Sequence, residues 1–102
     1  MTVKVVVLYT KPDDAEAFDQ YYLGTHMPLV SKVPGLLRAE SGRFLAAADG
    51  GEMTFYRIAE LYFADTDALN AGLGSPEGNA AAADYGKIAP PGSRLFIANV
   101  DE

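Results

Sequence analysis

A chain of 102 residues that is 49% hydrophobic and carries a net charge of −6 fits one folded, soluble domain spanning residues 1–102. Eight basic residues against fourteen acidic ones repel phosphates, so neither nucleic acid nor an anionic membrane surface is an expected partner. With no cysteine, disulfides and thiolate chemistry are excluded, and no stretch approaches the ~20 apolar residues of a membrane span; the expected location is the cytoplasm.

Val3 to Tyr9 is rich in β-branched residues and reads as a buried strand. A secretory signal would need roughly 7–15 apolar residues and a cleavage site, which this stretch lacks. Lys11-Pro12-Asp13-Asp14 ends the strand and supplies helix caps. Ala15, Phe18, Tyr21, Tyr22 and Thr25 then recur at spacings of three and four, which predicts an amphipathic helix to about Thr25 or His26. Pro28 biases Met27 away from helical geometry and marks the expected stop, placing His26 at a helix C-terminus where the dipole favours a protonated imidazole.

Val33-Pro34-Gly35 is a turn, and Leu36 to Leu45 reads as a second strand with Leu37, Ala39, Ser41 and Arg43 on one face. Asp49-Gly50-Gly51 signals a hairpin connection into a third strand, Phe55 to Phe63. Asp65 is the expected N-cap of a second helix that Gly72 and Gly74 end early. Ser75-Pro76-Glu77 restarts it, with Ala80 to Asp84 extending this short helix. After the Pro90-Pro91-Gly92 turn, Arg94 to Val100 is the last strand.

The order strand, helix, strand, strand, helix, strand is the ferredoxin-like βαββαβ arrangement, an α+β fold with a four-stranded antiparallel sheet and helices on one face. The third strand presents Phe55, Arg57, Ala59, Leu61 and Phe63 on one side and Tyr56, Ile58, Glu60 and Tyr62 on the other, so both faces are partly apolar. A large open apolar patch is uncommon on soluble monomers, and a second copy of the chain is the simplest cover. Two sheets packed face to face would enclose a cavity for a small hydrophobic molecule.

Three segments together resemble the EthD-like group of the dimeric α+β-barrel superfamily. They are Phe18-Asp19-Gln20-Tyr21-Tyr22 with His26-Met27-Pro28-Leu29, then Tyr56 to Phe63, then Ser75-Pro76-Glu77 through Asp84. The resemblance implies a homodimer whose two sheets form a barrel, with a ligand cavity in each subunit and no metal or organic cofactor. The founding member is linked to ether degradation, and relatives act on polyketides or aromatic compounds, including by decarboxylation and dehydration. Others in the superfamily are cofactor-independent oxygenases, lactone isomerases or haem enzymes. The family's histidine maps onto His26 and its acidic position near the second helix onto Asp84. Met27 and Tyr22 depart from the bulky residues that relatives carry there.

His26 is the single histidine, hence the one side chain whose ordinary pKa lies near neutrality and the candidate general acid/base. The competing role is structural, a ring bonded to a backbone carbonyl at the Pro28 turn. Tyr21, Tyr22, Tyr56 and Tyr62 are candidate phenolic donors to a ligand, each with core packing as the alternative, and Tyr9 at the end of the first strand is a candidate cavity-mouth residue. Glu60 is a candidate cavity carboxylate, with cross-strand ion pairing as the default for it and for Arg38, Glu40, Arg43 and Arg57. Asp84 is a candidate ligand contact that would also orient the imidazole. One histidine without cysteine shows no metal-ligand spacing. Two functions follow: a cofactor-independent enzyme in which His26 moves a proton on an aromatic or polyketide-like substrate, or a non-catalytic carrier of a hydrophobic metabolite. Haem binding is a third.

Overall fold

In the computed structural model, which describes residues 1–102, the chain runs β1 (Val3–Thr10), α1 (Ala15–Tyr21), a π-helical segment (Tyr22–His26) and α2 (Met27–Val30). It continues through β2 (Leu36–Arg43), β3 (Phe55–Phe63), α3 (Thr66–Leu73), α4 (Pro76–Ile88) and β4 (Arg94–Asn99). The four strands form one antiparallel sheet in the order β2-β3-β1-β4, with Val5 opposite both Leu61 and Ile97. This is the expected ferredoxin-like topology.

Alternation decides which side chains meet the helices. Val3, Val5, Val7 and Tyr9 of β1 are buried, as are Arg57, Ala59, Leu61 and Phe63 of β3, and they pack with Phe18, Tyr22, Val30 and Leu69 from the helical layer. The intervening residues point the other way. There Lys4 Nζ bonds Glu60 Oε2 at 2.7 Å, Arg38 bonds Glu40 at 3.0 Å, and the Arg38 guanidinium lies 4.1 Å from the Tyr62 ring centre. On this same face Phe96 is 44% exposed.

Helices begin where side chains satisfy their free amides. Asp14 accepts from Ala17 N, Asp65 from Ala68 N and Ser75 from Gly78 N, as the capping signals predicted. The α3–α4 junction is tight: a β-carbon on Gly78 would collide with the Gly72 carbonyl oxygen and lie 2.5 Å from that of Leu73. Gly35, Gly50 and Gly92 have positive φ, so the three turns use the residue that reaches that region without strain.

Three local features differ from the sequence-based expectation. The first helix does not stop before Pro28; it widens over Tyr22–His26, where the Met27 amide reaches back to the Tyr22 carbonyl, and continues as α2. Proline disrupts an α-helix by losing one bond and clashing with the carbonyl four residues earlier, and the widened turn removes that register. Phe18, Tyr22, His26 and Val30, each four residues apart, are thereby all buried. In a regular α-helix such a row drifts by roughly 40° per step. The second difference is a bulge in β2, where Leu36 pairs with Phe63 and Arg38 with Tyr62. Leu36 therefore joins the core, and Leu37 is left 61% exposed. Third, α4 extends past Asp84 to Ile88.

Candidate active site

A cavity of about 390 Å³ lies between α4 and the helix-facing side of β1, β3 and β4. Its walls are almost wholly apolar, with Val5, Val7 and Leu61 as floor, Leu73 at one end, and Leu95 and Ile97 along β4. Leu95 and Ile97 are 50% and 64% exposed, so the cavity opens along that edge strand. This space lies inside one chain, on the helix-covered face of the sheet, because the small side chains Ala81 and Ala82 of α4 leave room above the strands.

Three side chains bring polar atoms to this space: Tyr9, His26 and Tyr85. His26 is 4% exposed and held from both ring nitrogens. Nδ1 lies 2.8 Å from Asp84 Oδ2, and Nε2 lies 3.4 Å from the Tyr9 hydroxyl. Asp84 accepts a second bond at its other oxygen, from the Tyr21 hydroxyl at 2.6 Å. An ionised carboxylate accepts only, so the neutral imidazole carries its proton on Nδ1 and presents the Nε2 lone pair to Tyr9 and the cavity. The backbone-carbonyl contact expected of a structural His26 at the Pro28 turn is not formed: the helix runs on past it and the ring bonds side chains of β1 and α4. For the same reason the C-terminal dipole expected at His26 belongs instead to the end of α2.

The environment sets the protonation states. Burial raises the Asp84 carboxyl, but the bonds from Tyr21 and His26, helped by Lys87, outweigh it and leave the group below its ordinary value. Burial pushes the Tyr9 phenol far up, and the Tyr22 and Tyr85 phenols and Asp84 push it further against Arg57. Tyr9 is a neutral hydroxyl donor throughout the physiological range. Burial raises Tyr85 as well.

Of the residues proposed from sequence, His26, Tyr9 and Asp84 come together. Tyr22 is fully buried behind them: its ring packs on Phe18, Tyr9 and His26, the Arg57 guanidinium lies 4.6 Å from its centre, and its hydroxyl is buried without a hydrogen-bond partner. Burial raises its pKa; Ser41 is near enough to oppose this without forming a bond. Tyr56, Glu60 and Tyr62 do not join the cavity. Tyr56 bonds Asp19 Oδ2 at 2.6 Å and borders a separate surface depression with Gln20 and Arg43. Glu60 and Tyr62 alternate with Leu61 and so face the opposite side of the sheet, where Lys4 and Arg38 engage them. Arg57 pairs not across strands but with Asp19 of α1, at 3.1 Å.

Tyr85 at the cavity wall is the contact that sequence reasoning missed, whereas Tyr21, a candidate phenolic donor to a ligand, instead bonds Asp84 outside the cavity. Gly78, Ala81, Ala82 and Tyr85 follow helical spacing, and a helix read beyond Asp84 would have placed Tyr85 over the cavity. No group of three or more histidine, aspartate or glutamate side chains converges so as to hold a metal ion. No helix is long and apolar enough to cross a membrane.

The EthD domain family model matches residues 11–91. A curated protein from Rhodococcus erythropolis, described as an uncharacterized 11.0 kDa protein in the thcB-thcC intergenic region, is 36% identical over 92% of this chain and 90% of its own length. A crystal structure of an EthD family protein from Bacillus halodurans superposes with a TM-score of 0.92 at 36% identity, covering 99% of this chain and 100% of that one. More distant structures share the fold. A hydroxynitrile lyase from Passiflora edulis has a TM-score of 0.80 at 14% identity over 99% and 94% of the two chains. A dimeric ferredoxin-like protein from Thermobifida fusca has a TM-score of 0.74 at 15% identity over 98% and 92%.

Proposed function

The chain belongs to the EthD domain family, and from that premise we propose that it binds a small, uncharged, aromatic or polyketide-like molecule under α4 and moves a proton on it with His26. The observation that carries the reading is the imidazole held by Asp84 with Nε2 directed to Tyr9 at the wall of an apolar cavity. A base so held needs only the Tyr9 hydroxyl to turn from Nε2 toward the ligand before it accepts a proton.

The chemistry follows from the residues. Nε2 takes a proton from an acidic C–H or O–H of the ligand, giving an imidazolium that the Asp84 carboxylate stabilises. The developing enolate or phenolate accepts a hydrogen bond from the Tyr9 hydroxyl, in a space with little competing water. The proton then returns from Nε2 to another atom of the ligand or to its leaving group. A neutral ligand fits better than an anionic one, because the cavity wall carries no cation and the nearby Arg57 is already paired with Asp19.

The test is a thermal-shift and mass-spectrometric screen against phenols, quinones and short polyketides. Some of these should stabilise the protein and be converted, and His26→Ala should keep the stabilisation while losing turnover by roughly 100-fold or more. Turnover retained in His26→Ala would remove the histidine from the reaction. Saturable stabilisation without any product in the unaltered protein would favour the carrier reading.

Assembly as a homodimer is the second part of the proposal. It is supported by the partly apolar open sheet face and the exposed Leu95, Phe96 and Ile97 of β4. The description of the Thermobifida fusca neighbour as dimeric agrees with it. Sedimentation at micromolar concentration should give about 22 kDa, twice the 10.9 kDa of one chain; the single-chain mass would overturn it.

A further inference from the structure

We infer that Tyr21, a residue outside the cavity, is a positioning residue that fixes the tautomer of His26 by pinning the Asp84 carboxylate from its far side. The inference rests on the proposed role of His26 for its effect on turnover, but not for its effect on the ring itself.

The Asp84 side chain is 9% exposed and has two donors, one at each oxygen: His26 Nδ1 at Oδ2, 2.8 Å, and the Tyr21 hydroxyl at Oδ1, 2.6 Å. The terminal torsion of an aspartate is broad, so a single bond leaves the carboxylate free to rock about its axis. Two bonds on opposite oxygens remove that freedom. The Tyr21 contact has the length of a charge-assisted O–H···O⁻ bond, and it also compensates part of the cost of keeping a buried carboxylate ionised. Tyr21 itself stays a neutral donor, because the bond to Asp84, then burial, raises its phenol above the ordinary value.

The groups facing this pair limit the alternatives. From α4, Lys87 lies 5.5 Å from the Tyr21 ring centre and favours the carboxylate. From β1, Tyr9 approaches Nε2; from the π-helical segment, the Tyr22 ring lies 5.6 Å from the imidazole, with Arg57 of β3 beyond it. Apart from Tyr21 and His26, none of these bonds Asp84. Loss of the Tyr21 hydroxyl therefore leaves one carboxylate oxygen without its donor, and the remaining bond alone must hold both carboxylate and ring.

A single histidine makes the test clean, since every imidazole nitrogen signal in a ¹⁵N NMR spectrum belongs to His26. The unaltered protein should show the Nδ1-protonated neutral tautomer. Tyr21→Phe keeps the ring beneath Lys87 and removes only the hydroxyl; it should populate both tautomers and lower kcat roughly tenfold with KM little changed. Asp84→Asn is the second variant and should change the ring in the same direction by more. An unaltered tautomer in Tyr21→Phe would overturn the positioning role whatever happens to turnover. A disturbed tautomer with full turnover would uphold the positioning role and overturn the acid/base role of His26 instead.

Discussion

Gly78→Ala and Gly86→Ala place the same methyl group on the same helix and should move stability in opposite directions. At Gly78 the new β-carbon lies 2.5 Å from the Leu73 carbonyl oxygen and closer still to that of Gly72, both rigid backbone. Reaching an ordinary 3.4 Å contact requires α4 to withdraw by about 0.9 Å from Leu73 and more from Gly72. Such overpacking costs about 1–3 kcal/mol, and the helix preference of alanine over glycine returns at most ~1 kcal/mol of it. At Gly86 nothing lies within 4 Å, so only the preference remains, a gain of roughly 0.5–1 kcal/mol. Thermal denaturation at one fixed protein concentration should therefore lower Tm by about 5–10 °C for Gly78→Ala and raise it by about 2–8 °C for Gly86→Ala. The same withdrawal of α4 carries Asp84 away from His26, so Gly78→Ala should also disturb the imidazole spectrum, which Gly86→Ala should not. A Gly78→Ala protein as stable as the unaltered chain would refute the argument that the α3–α4 junction is at contact limit.

Tyr22→Phe removes a buried hydroxyl that has no partner while keeping the ring, so denaturant titration should show stability unchanged or raised by up to about 1 kcal/mol. A loss of more than that would mean the hydroxyl has a partner. Asp19→Ala strands the Arg57 guanidinium, 5% exposed, over the Tyr22 ring and should cost about 3 kcal/mol in the same assay, with Arg57→Met added on top recovering most of it; a cost near zero would show that the pair is effectively solvated. Because the Asp84 carboxyl lies below its ordinary 3.8 in the folded chain, its ionised form stabilises the fold at neutral pH and that contribution is lost as pH falls through the lowered value. Asp84→Asn should be the less stable protein at pH 6, with the gap closing below about pH 3.8; a gap that persists unchanged in acid would place the effect in packing rather than charge.

Helix starts and strand identities were legible because their causes are local. Asp14, Asp65 and Ser75 each need only an amide three residues ahead, and Val3 to Tyr9 needs only its β-branched run. The two faces of β3 were legible for the same reason from Arg57 onward, with Glu60 and Tyr62 standing opposite Leu61, but Tyr56 was not: the β1–β3 register shifts after Tyr9, and Tyr56 turns to Asp19 of α1 instead of joining Glu60 and Tyr62. Which face holds the cavity was not legible, because it depends on where Ala81 and Ala82 of α4 leave space over β1. The site was half legible. His26 and Asp84 stood out by type and by family resemblance and Tyr21 as a phenol, but the pairing of Tyr21 with Asp84 is set by tertiary packing, and Tyr85 looks like an ordinary helical tyrosine until α4 is seen to run beyond Asp84. Pro28 misled because its usual effect presumes an α-helical register that the preceding five residues do not keep.

That widened turn means the site is specified by a residue count as much as by residue identities. Leu23, Gly24 and Thr25 are exposed and stand outside the cavity, so their side chains do not reveal why the chain needs all three. Deleting any one of them would restore ordinary α-helical spacing and put the histidine three residues rather than four after Tyr22, turning the imidazole off the row that meets Tyr9 and Asp84 without changing a single residue of the site. It would also bring Pro28 back against the carbonyl four residues before it. In a family of such chains, length in this stretch is therefore the quantity to compare first: a member shorter by one residue here would carry the histidine in its sequence and not in its cavity.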